Sequence, residues 1–173
     1  EQIVVGAGAE YLYSLIIQLL GKDKIYAIEN PSYNKIEKVY LANGIRLERL
    51  DLGTNGIKTQ QLNCSNAQVL HTTPYNSYPS LITANASKRQ EYLQWAKLRN
   101  GYIVEDNYDS ELTISKKNEE TLFSLTDYDN VIYVNTFSKT ISPAIRVGYM
   151  VLPKKLLDEF DKRLGFYSCT VPT

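Results

Sequence analysis

The sequence predicts an α/β fold of three layers, in which a mainly parallel, mixed sheet lies between helices. Short apolar segments alternate along the chain with segments whose apolar residues recur at helical spacing. Such alternation is typical of parallel strands, because each parallel pair needs a crossover connection that is usually a helix. The 173 residues, of which 43% are hydrophobic, are enough for one domain with a sizeable core.

The first half of the chain provides alternating strands and helices. A helix predicted over residues 9–20 has an apolar stripe at helical spacing and ends at Gly21, a natural stop signal. A second helix, over residues 33–42, ends at the Asn-Gly pair of positions 43–44. The polar, glycine-containing stretch 51–66 is predicted to be mostly loop. The strands predicted in this half are residues 3–5, 24–29, 45–50 and 68–72.

The second half continues the alternation. Residues 74–86 are predicted to be irregular, and the helix that follows them has a candidate capping box in Ser87 and Gln90. That helix is predicted to run to Arg99. Pro153 suits the first turn of the last predicted helix. The strands predicted in this half are residues 102–105, 131–134 and 148–152.

Composition and termini narrow the possible classes of protein. Nineteen basic side chains balance nineteen acidic ones, which argues against this chain being a nucleic-acid-binding surface by itself. Cys64, Cys169 and the single histidine, His71, fit no metal-ligand spacing, so no metal site is predicted and His71 is expected in the core. Free thiols, with no membrane-spanning run and no signal peptide, favour a cytoplasmic protein. The chain begins at Glu1 without an initiator Met, and we expect residues 1–173 to be one domain of a longer protein.

A lysine near the end of the chain has the surroundings that a Schiff-base residue needs. Lys139 closely follows the predicted strand 131–134, and a lysine amine can form an imine with an aldehyde. The hydroxyls of Thr136 and Ser138 and the guanidinium of Arg146 can hold a phosphate. This combination predicts binding of pyridoxal 5′-phosphate, PLP.

Other candidate groups also follow predicted strands, and ligands of open α/β sheets bind beyond the carboxyl ends of strands. The N–H groups of Ala9 and Glu10, at a helix start, can bind phosphate oxygens. Tyr33 can stack on the cofactor ring, and Tyr108 can donate to its phenolate oxygen. Asp106 can pair with the protonated pyridine nitrogen. Each residue alone has an ordinary explanation, such as a turn, a cap or packing; their common placement after strands favours one site.

Four segments carry a resemblance to a known family. Thr-Phe-Ser-Lys at 136–139, with Arg-Val-Gly-Tyr at 146–149, resembles the lysine motif of the large domain of fold type I, aspartate aminotransferase-like PLP proteins. Segment 104–112, which contains Tyr-Asp-Ser-Glu, is similar to the aminotransferase-like domain of MocR-type transcription regulators of the GntR superfamily. Residues 29–33 resemble the segment with the ring-stacking aromatic side chain, and residues 73–79 resemble a loop of those regulators.

The resemblance implies a PLP-dependent transferase-like fold in which Lys139 forms the internal aldimine and Asp106 and Tyr108 assist it. It also implies that Tyr78 contacts the cofactor, since aminotransferases have an Asn before the corresponding proline. A homodimer is expected. A MocR regulator also has an N-terminal winged helix-turn-helix domain, and fold type I proteins have a C-terminal small domain; neither is recognised in this sequence.

Three functions are compatible with these features. The chain is predicted to be the PLP-binding effector domain of a MocR-type regulator, which responds to an amine or amino acid and binds DNA through another domain. The alternative is a free-standing class I/II aminotransferase, in which Lys139 also moves the Cα proton of the substrate. The third hypothesis is a dimerisation module that no longer binds PLP.

Overall fold

Strands and helices alternate along the chain in a computed structural model, which describes residues 2–108, 120–138, 141–142, 144–167 and 171. The strands are β1 (Ile3–Gly6), β2 (Ile25–Asn30), β3 (Arg46–Gly53), β4 (Gly56–Ile57), β5 (Val69–Thr72), β6 (Tyr102–Asp106), β7 (Val131–Thr136) and β8 (Gly148–Val151). The helices are α1 (Ala9–Leu20), α2 (Asn34–Ala42), α3 (Thr59–Cys64), α4 (Ala86–Leu98), α5 (Leu122–Leu125) and α6 (Leu157–Leu164), with a 3₁₀ turn at Lys154–Leu156 before α6.

The described strands form one mixed sheet in the order β1-β8-β7-β6-β5-β2-β3-β4. The central pairs β3/β2, β2/β5, β5/β6 and β6/β7 are parallel, whereas β8 runs antiparallel to both β1 and β7, and β4 runs antiparallel to β3. The carboxyl ends of β1, β2, β5, β6 and β7 therefore lie at one edge of the sheet. β8 and β4 run in the opposite direction and enter the sheet from this edge, so the residues just before β8 also lie there.

Each face of the sheet has its own apolar core. On one face, α1, α2 and α6 cover a cluster that includes Leu12 and Ile132, both fully buried. On the other face, α3, α4 and α5 cover a cluster that includes Tyr92 and Ile103. Helices on both faces confirm the predicted three-layer α/β fold with a mainly parallel, mixed sheet. Within the described residues, no helix is long and apolar enough to cross a membrane.

The prediction that residues 51–66 are mostly loop was wrong. β3 continues to Gly53, the chain turns, and β4 returns with Ile57 opposite Leu52. α3 follows directly at Thr59–Cys64. Ile57 and Leu62 are fully buried, but two apolar anchors in so short a segment are too few to reveal a period in the sequence.

The start of α4 also differs from the prediction. The N-cap is Asn85, whose side-chain oxygen accepts a hydrogen bond from the N–H of Lys88 at 2.9 Å, and Ser87 lies inside the helix. Asn and Ser have similar preferences for the N-cap position, so the sequence alone does not separate the two candidates. The short helix α5 was not predicted; Glu105 accepts hydrogen bonds from the N–H groups of Leu122 and Phe123 at its start.

Candidate functional site

A cavity of about 410 Å³ lies at the sheet edge where the parallel strands end. This volume is in the range of small-molecule sites. Nine of the ten residues predicted to form a site line it, and the tenth, Lys139, lies outside the described residues. The nine are Ala9, Glu10, Tyr33, Tyr78, Asp106, Tyr108, Thr136, Ser138 and Arg146. The carboxyl ends of the strands thus bring together residues that are up to 137 positions apart in the chain.

The carboxylate of Asp106 is held at the buried end of β6, with only 4% of the residue exposed. The hydroxyl of Tyr13, on α1, donates a hydrogen bond to Oδ2. The other oxygen, Oδ1, is buried and has no hydrogen-bond partner within the described residues. A buried carboxylate oxygen without a partner is costly, so it is an acceptor that a donor group on a ligand can satisfy.

His71 lies directly behind Asp106. Its Nε2 is 3.5 Å from Asp106 Oδ2, but the geometry is not that of a hydrogen bond. Its Nδ1 is 2.7 Å from the hydroxyl of Tyr40. The ring is 2% exposed, as expected of a core residue. His71 also packs edge-on against Tyr13, so the two side chains that approach Asp106 also fix each other.

Four further residues, which were not predicted from the sequence, line the same cavity: Tyr13, Lys35, Ile36 and Thr73. Tyr13 follows Ala9 by one helical turn of α1, and that spacing was the only signal that could have identified it. The contact of His71 with Asp106 could also have been predicted. His71 is in register with Val104, so side chains 71, 104 and 106 share one face of the sheet.

A cluster of charges lies beside the N-terminus of α1. Arg146 Nη2 donates to Glu10 Oε2 at 2.8 Å, and Lys35 Nζ lies 3.1 Å from Glu10 Oε1. The N-cap of α1 is Gly8, and no side chain in the described part of the protein caps this N-terminus. Helix N-termini, guanidinium groups and ammonium groups all favour anions, so this part of the cavity can hold a phosphate or carboxylate.

The backbone is shaped to place Arg146. Its φ is +51°, in the left-handed region that a non-glycine residue adopts only at a cost. Gly8 has a φ of +88°, and a Cβ added there would lie 2.7 Å from Arg146 Nη2. Position 8 therefore requires a glycine, both because its φ is positive and because the guanidinium of Arg146 approaches it closely.

Three tyrosines form the aromatic part of the cavity. Tyr33 and Tyr78 are 42% and 53% exposed, and their rings meet edge-on with centroids 5.9 Å apart. Tyr108 is half-buried, and its hydroxyl donates to the carbonyl oxygen of Asn76 at 2.9 Å. Because the Tyr33 and Tyr78 rings are exposed at the cavity, both can pack on an incoming aromatic ligand.

A second buried carboxyl supports the loop that carries Tyr78. Glu29, at the end of β2, accepts hydrogen bonds from the hydroxyls of Thr72 and Ser77 and from the N–H of Thr73. Burial raises the pKa of Glu29 to about 7, although these three hydrogen bonds oppose that rise. Glu29 does not line the cavity, so we infer that it acts by holding the loop in place.

The cavity fits a ligand of mixed character. Asp106 offers an unused acceptor to a donor or cationic ring nitrogen, and Arg146 with the start of α1 offers an anion site. Thr136 and Ser138, at the end of β7, add hydroxyls. No group of three or more His, Cys, Asp or Glu residues within the described ranges is arranged to hold a metal ion.

The chain is similar to known transcription regulators over nearly its whole length. The chain is 28% identical to an uncharacterized HTH-type transcriptional regulator, YdeL, from Bacillus subtilis (strain 168), over 99% of this chain and 37% of that protein. It is 27% identical to the probable rhizopine catabolism regulatory protein MocR from Rhizobium meliloti, over 94% of this chain and 33% of that protein. The chain thus spans about a third of the length of these curated relatives.

Solved structures and a family model agree with the fold. The kynurenine aminotransferase of Pyrococcus horikoshii, solved in complex with PMP, superposes with a TM-score of 0.84 at 25% identity, over 97% of this chain and 44% of that one. The family model for aminotransferase class I and II matches residues 1–173, the full length of the chain. This confirms the resemblance carried by the sequence motifs: the chain belongs to the aminotransferase class I and II family.

Proposed function

We propose that the chain is the PLP-binding, aminotransferase-like effector domain of a MocR/GntR-type transcription regulator. The observation that carries the cofactor assignment is the unpartnered Oδ1 of Asp106 in the same cavity as the Arg146 anion site. Similarity to transcription regulators over nearly the whole chain supports the regulatory role. The activity of the whole protein is part of this proposal, because the chain is about a third of those relatives.

The cofactor has an aldehyde that forms imines with amines and a ring that withdraws electrons from them. Asp106 would accept a hydrogen bond from the pyridine nitrogen and keep a positive charge there. Tyr33 would pack on the ring, and Tyr78 and Tyr108 would lie beside its phenolate oxygen. Lys139 would supply the amine that holds the cofactor when no other amine is bound.

The phosphate would be held where the charges of the cavity gather. The N–H groups of Ala9 and Glu10 lie in the first turn of α1, where N–H groups lack helical partners. Arg146 would supply the counter-charge, and the hydroxyls of Thr136 and Ser138 would donate further hydrogen bonds. Tyr13 and His71 would not touch the phosphate; their role is to orient Asp106.

The proposal includes partners that the chain itself does not contain. An amine or amino acid would be the effector, and DNA would be bound through a winged-helix domain elsewhere in a longer protein. A change in domain arrangement would transmit the signal. We also propose that the protein forms a homodimer, as fold type I PLP proteins do, and that it is located in the reducing cytoplasm.

The second candidate is a free-standing aminotransferase of amino acids and 2-oxo acids, which the structural similarity to a kynurenine aminotransferase favours. In it, Lys139 would act both as the cofactor-binding amine and as the base at the substrate Cα.

Absorption spectroscopy and turnover assays separate the two candidates. The full-length protein is mixed with PLP and then with a panel of amino acids, and the visible band of the bound cofactor and the release of 2-oxo acid are followed. A regulator is expected to change its spectrum, and its affinity for fragments of genomic DNA, with at most one product per site. Many products per site, with no effect on DNA binding, would instead identify an aminotransferase. No cofactor band in the wild-type protein would exclude both; Lys139→Ala is the control that should lose the band.

The conformation of Gly8 provides an independent prediction. Gly8→Ala is expected to destabilise the protein by about 1–3 kcal/mol, because its φ of +88° and ψ of 174° are accessible essentially to glycine alone, and, in addition, to displace Arg146 and weaken PLP binding at least tenfold. Gly44→Ala is the matched control, because Gly44 also has a positive φ of +76° but nothing lies within 4 Å of an added Cβ. Urea unfolding and PLP titration are measured for both variants. Equal PLP affinities in the two variants would contradict the role given to Gly8.

A further inference from the structure

We propose that the carboxylate of Glu10 is an internal anion that occupies the phosphate-binding cup, so that an incoming anion must compete with it. The cup is defined here as the N-terminus of α1 with Arg146 and Lys35. This inference rests on the proposed function, because the cup is the place assigned above to the phosphate of PLP.

The contacts of Glu10 are those of a bound anion. One carboxylate oxygen accepts from Arg146 Nη2 at 2.8 Å, and the other lies 3.1 Å from Lys35 Nζ. The side chain faces the cavity at the first turn of α1, where the helix dipole favours negative charge. A guanidinium, an ammonium and a helix N-terminus are also the groups that bind phosphate.

The carboxylate is ionised at neutral pH. Partial burial tends to raise the pKa of Glu10, but hydrogen bonds from Arg146, from the backbone N–H of Glu10 and from Lys35 outweigh it and lower the pKa to about 2. An incoming phosphate therefore meets a full negative charge at the cup. The protein must move this charge or accept repulsion between like charges.

The ion pair between Glu10 and Arg146 is weak enough for an incoming anion to replace Glu10. The side chains of Arg146 and Glu10 are 46% and 31% exposed, and an ion pair that water can reach changes an equilibrium constant by no more than about fivefold. A phosphate dianion attracts Arg146 more strongly than one carboxylate does, so it can replace Glu10 at the guanidinium. Glu10 thereby lowers the affinity of the cup for anions without closing it.

Lys35 gives the displaced carboxylate a place to remain. Glu10 contacts Arg146 and Lys35 with different oxygens, so it can release the guanidinium while it keeps the ammonium. Lys35 is 57% exposed at its side chain and can follow this movement.

Anion titrations of the full-length protein test the proposal. Glu10→Gln keeps the shape of the side chain and removes its charge, and it is expected to tighten binding of inorganic phosphate and of PLP about three- to fivefold. Acetate, a monoanion, should gain no more than phosphate does, because a single charge is repelled less by Glu10. Glu37→Gln is the matched control: Glu37 pairs with Arg49 away from the cavity, so its loss should leave all three affinities unchanged.

The outcomes separate this proposal from the proposed function. If wild type binds PLP and Glu10→Gln binds phosphate no more tightly, the competition is overturned while the cofactor assignment stands. A gain of the same size in Glu37→Gln would also overturn the competition, because Glu37 does not line the cavity. If wild type does not bind PLP but Glu10→Gln binds phosphate more tightly than wild type, the proposed function fails and the competition is supported. Absence of phosphate and PLP binding in both proteins would overturn both.

Discussion

Asp106→Ala is expected to weaken PLP binding by about 10²- to 10⁴-fold while leaving the protein folded. Removal of one partner of a buried ion pair costs about 3–5 kcal/mol, because the remaining charge is left uncompensated, here on the cofactor ring. The fold should tolerate the change, since the one side-chain hydrogen bond lost within the described residues is that from Tyr13. PLP titration by absorption, with urea unfolding in parallel, measures the two effects separately.

Two further variants identify which property of Asp106 matters. Asp106→Asn keeps the size but not the charge, so it should bind PLP with intermediate affinity and fail to hold a positive charge on the ring nitrogen. Tyr13→Phe removes the hydrogen bond to Oδ2 and leaves the charge, and its loss in affinity should be about tenfold or less. An Asp106→Ala protein that binds PLP as wild type does would show that the carboxylate does not face the ring nitrogen.

The placement of the candidate site could be predicted because it follows from topology. Asp106 and Thr136 end parallel strands, and Arg146 precedes β8, which enters from the same edge. Strand direction alone therefore gathers residues from distant parts of the chain at one edge. No knowledge of side-chain packing is needed for this step.

Contacts made across layers could not be predicted in the same way. Tyr13 reaches Asp106 from α1, and Lys35 reaches Glu10 from α2. These pairs depend on the rotation and depth of each helix against the sheet, and the apolar stripe of a helix defines only which side faces inward. The apolar stripe of α1 predicted its bounds, Ala9–Leu20, correctly and gave no indication that Tyr13 would meet a carboxylate.

The prediction of local structure failed where the sequence contained two equally good signals. Asn85 and Ser87 are both good N-caps, and only the structure shows that Asn85 is used. Glu105 illustrates a related limit: its carboxyl holds the first N–H groups of α5, a helix of only four residues that no periodicity could reveal.

The protein is expected to become less stable as pH rises from about 5 to 7. Burial raises the pKa of both Glu29 and Glu105 to about 7, from an ordinary value of 4.5. In this range the unfolded chain has lost both protons while the folded protein still holds them, so unfolding releases protons and is favoured as pH rises. Each carboxyl can contribute about 3 kcal/mol to this loss. Glu10, with its pKa lowered to about 2, acts in the opposite direction but below this window.

Urea unfolding at pH 5 and pH 8 measures the effect, and Gln variants assign it to residues. Glu29→Gln should reduce the pH dependence at little cost, because two of its three donors are the hydroxyls of Thr72 and Ser77, which can reverse their hydrogen bonds. Glu105→Gln should also reduce it but should cost about 1–3 kcal/mol at pH 5, since both oxygens of Glu105 accept backbone N–H groups and an amide has only one acceptor. Glu159→Gln is the exposed control and should leave the slope unchanged. A slope as steep in the Glu29→Gln/Glu105→Gln double variant as in wild type would show that other groups take up the protons.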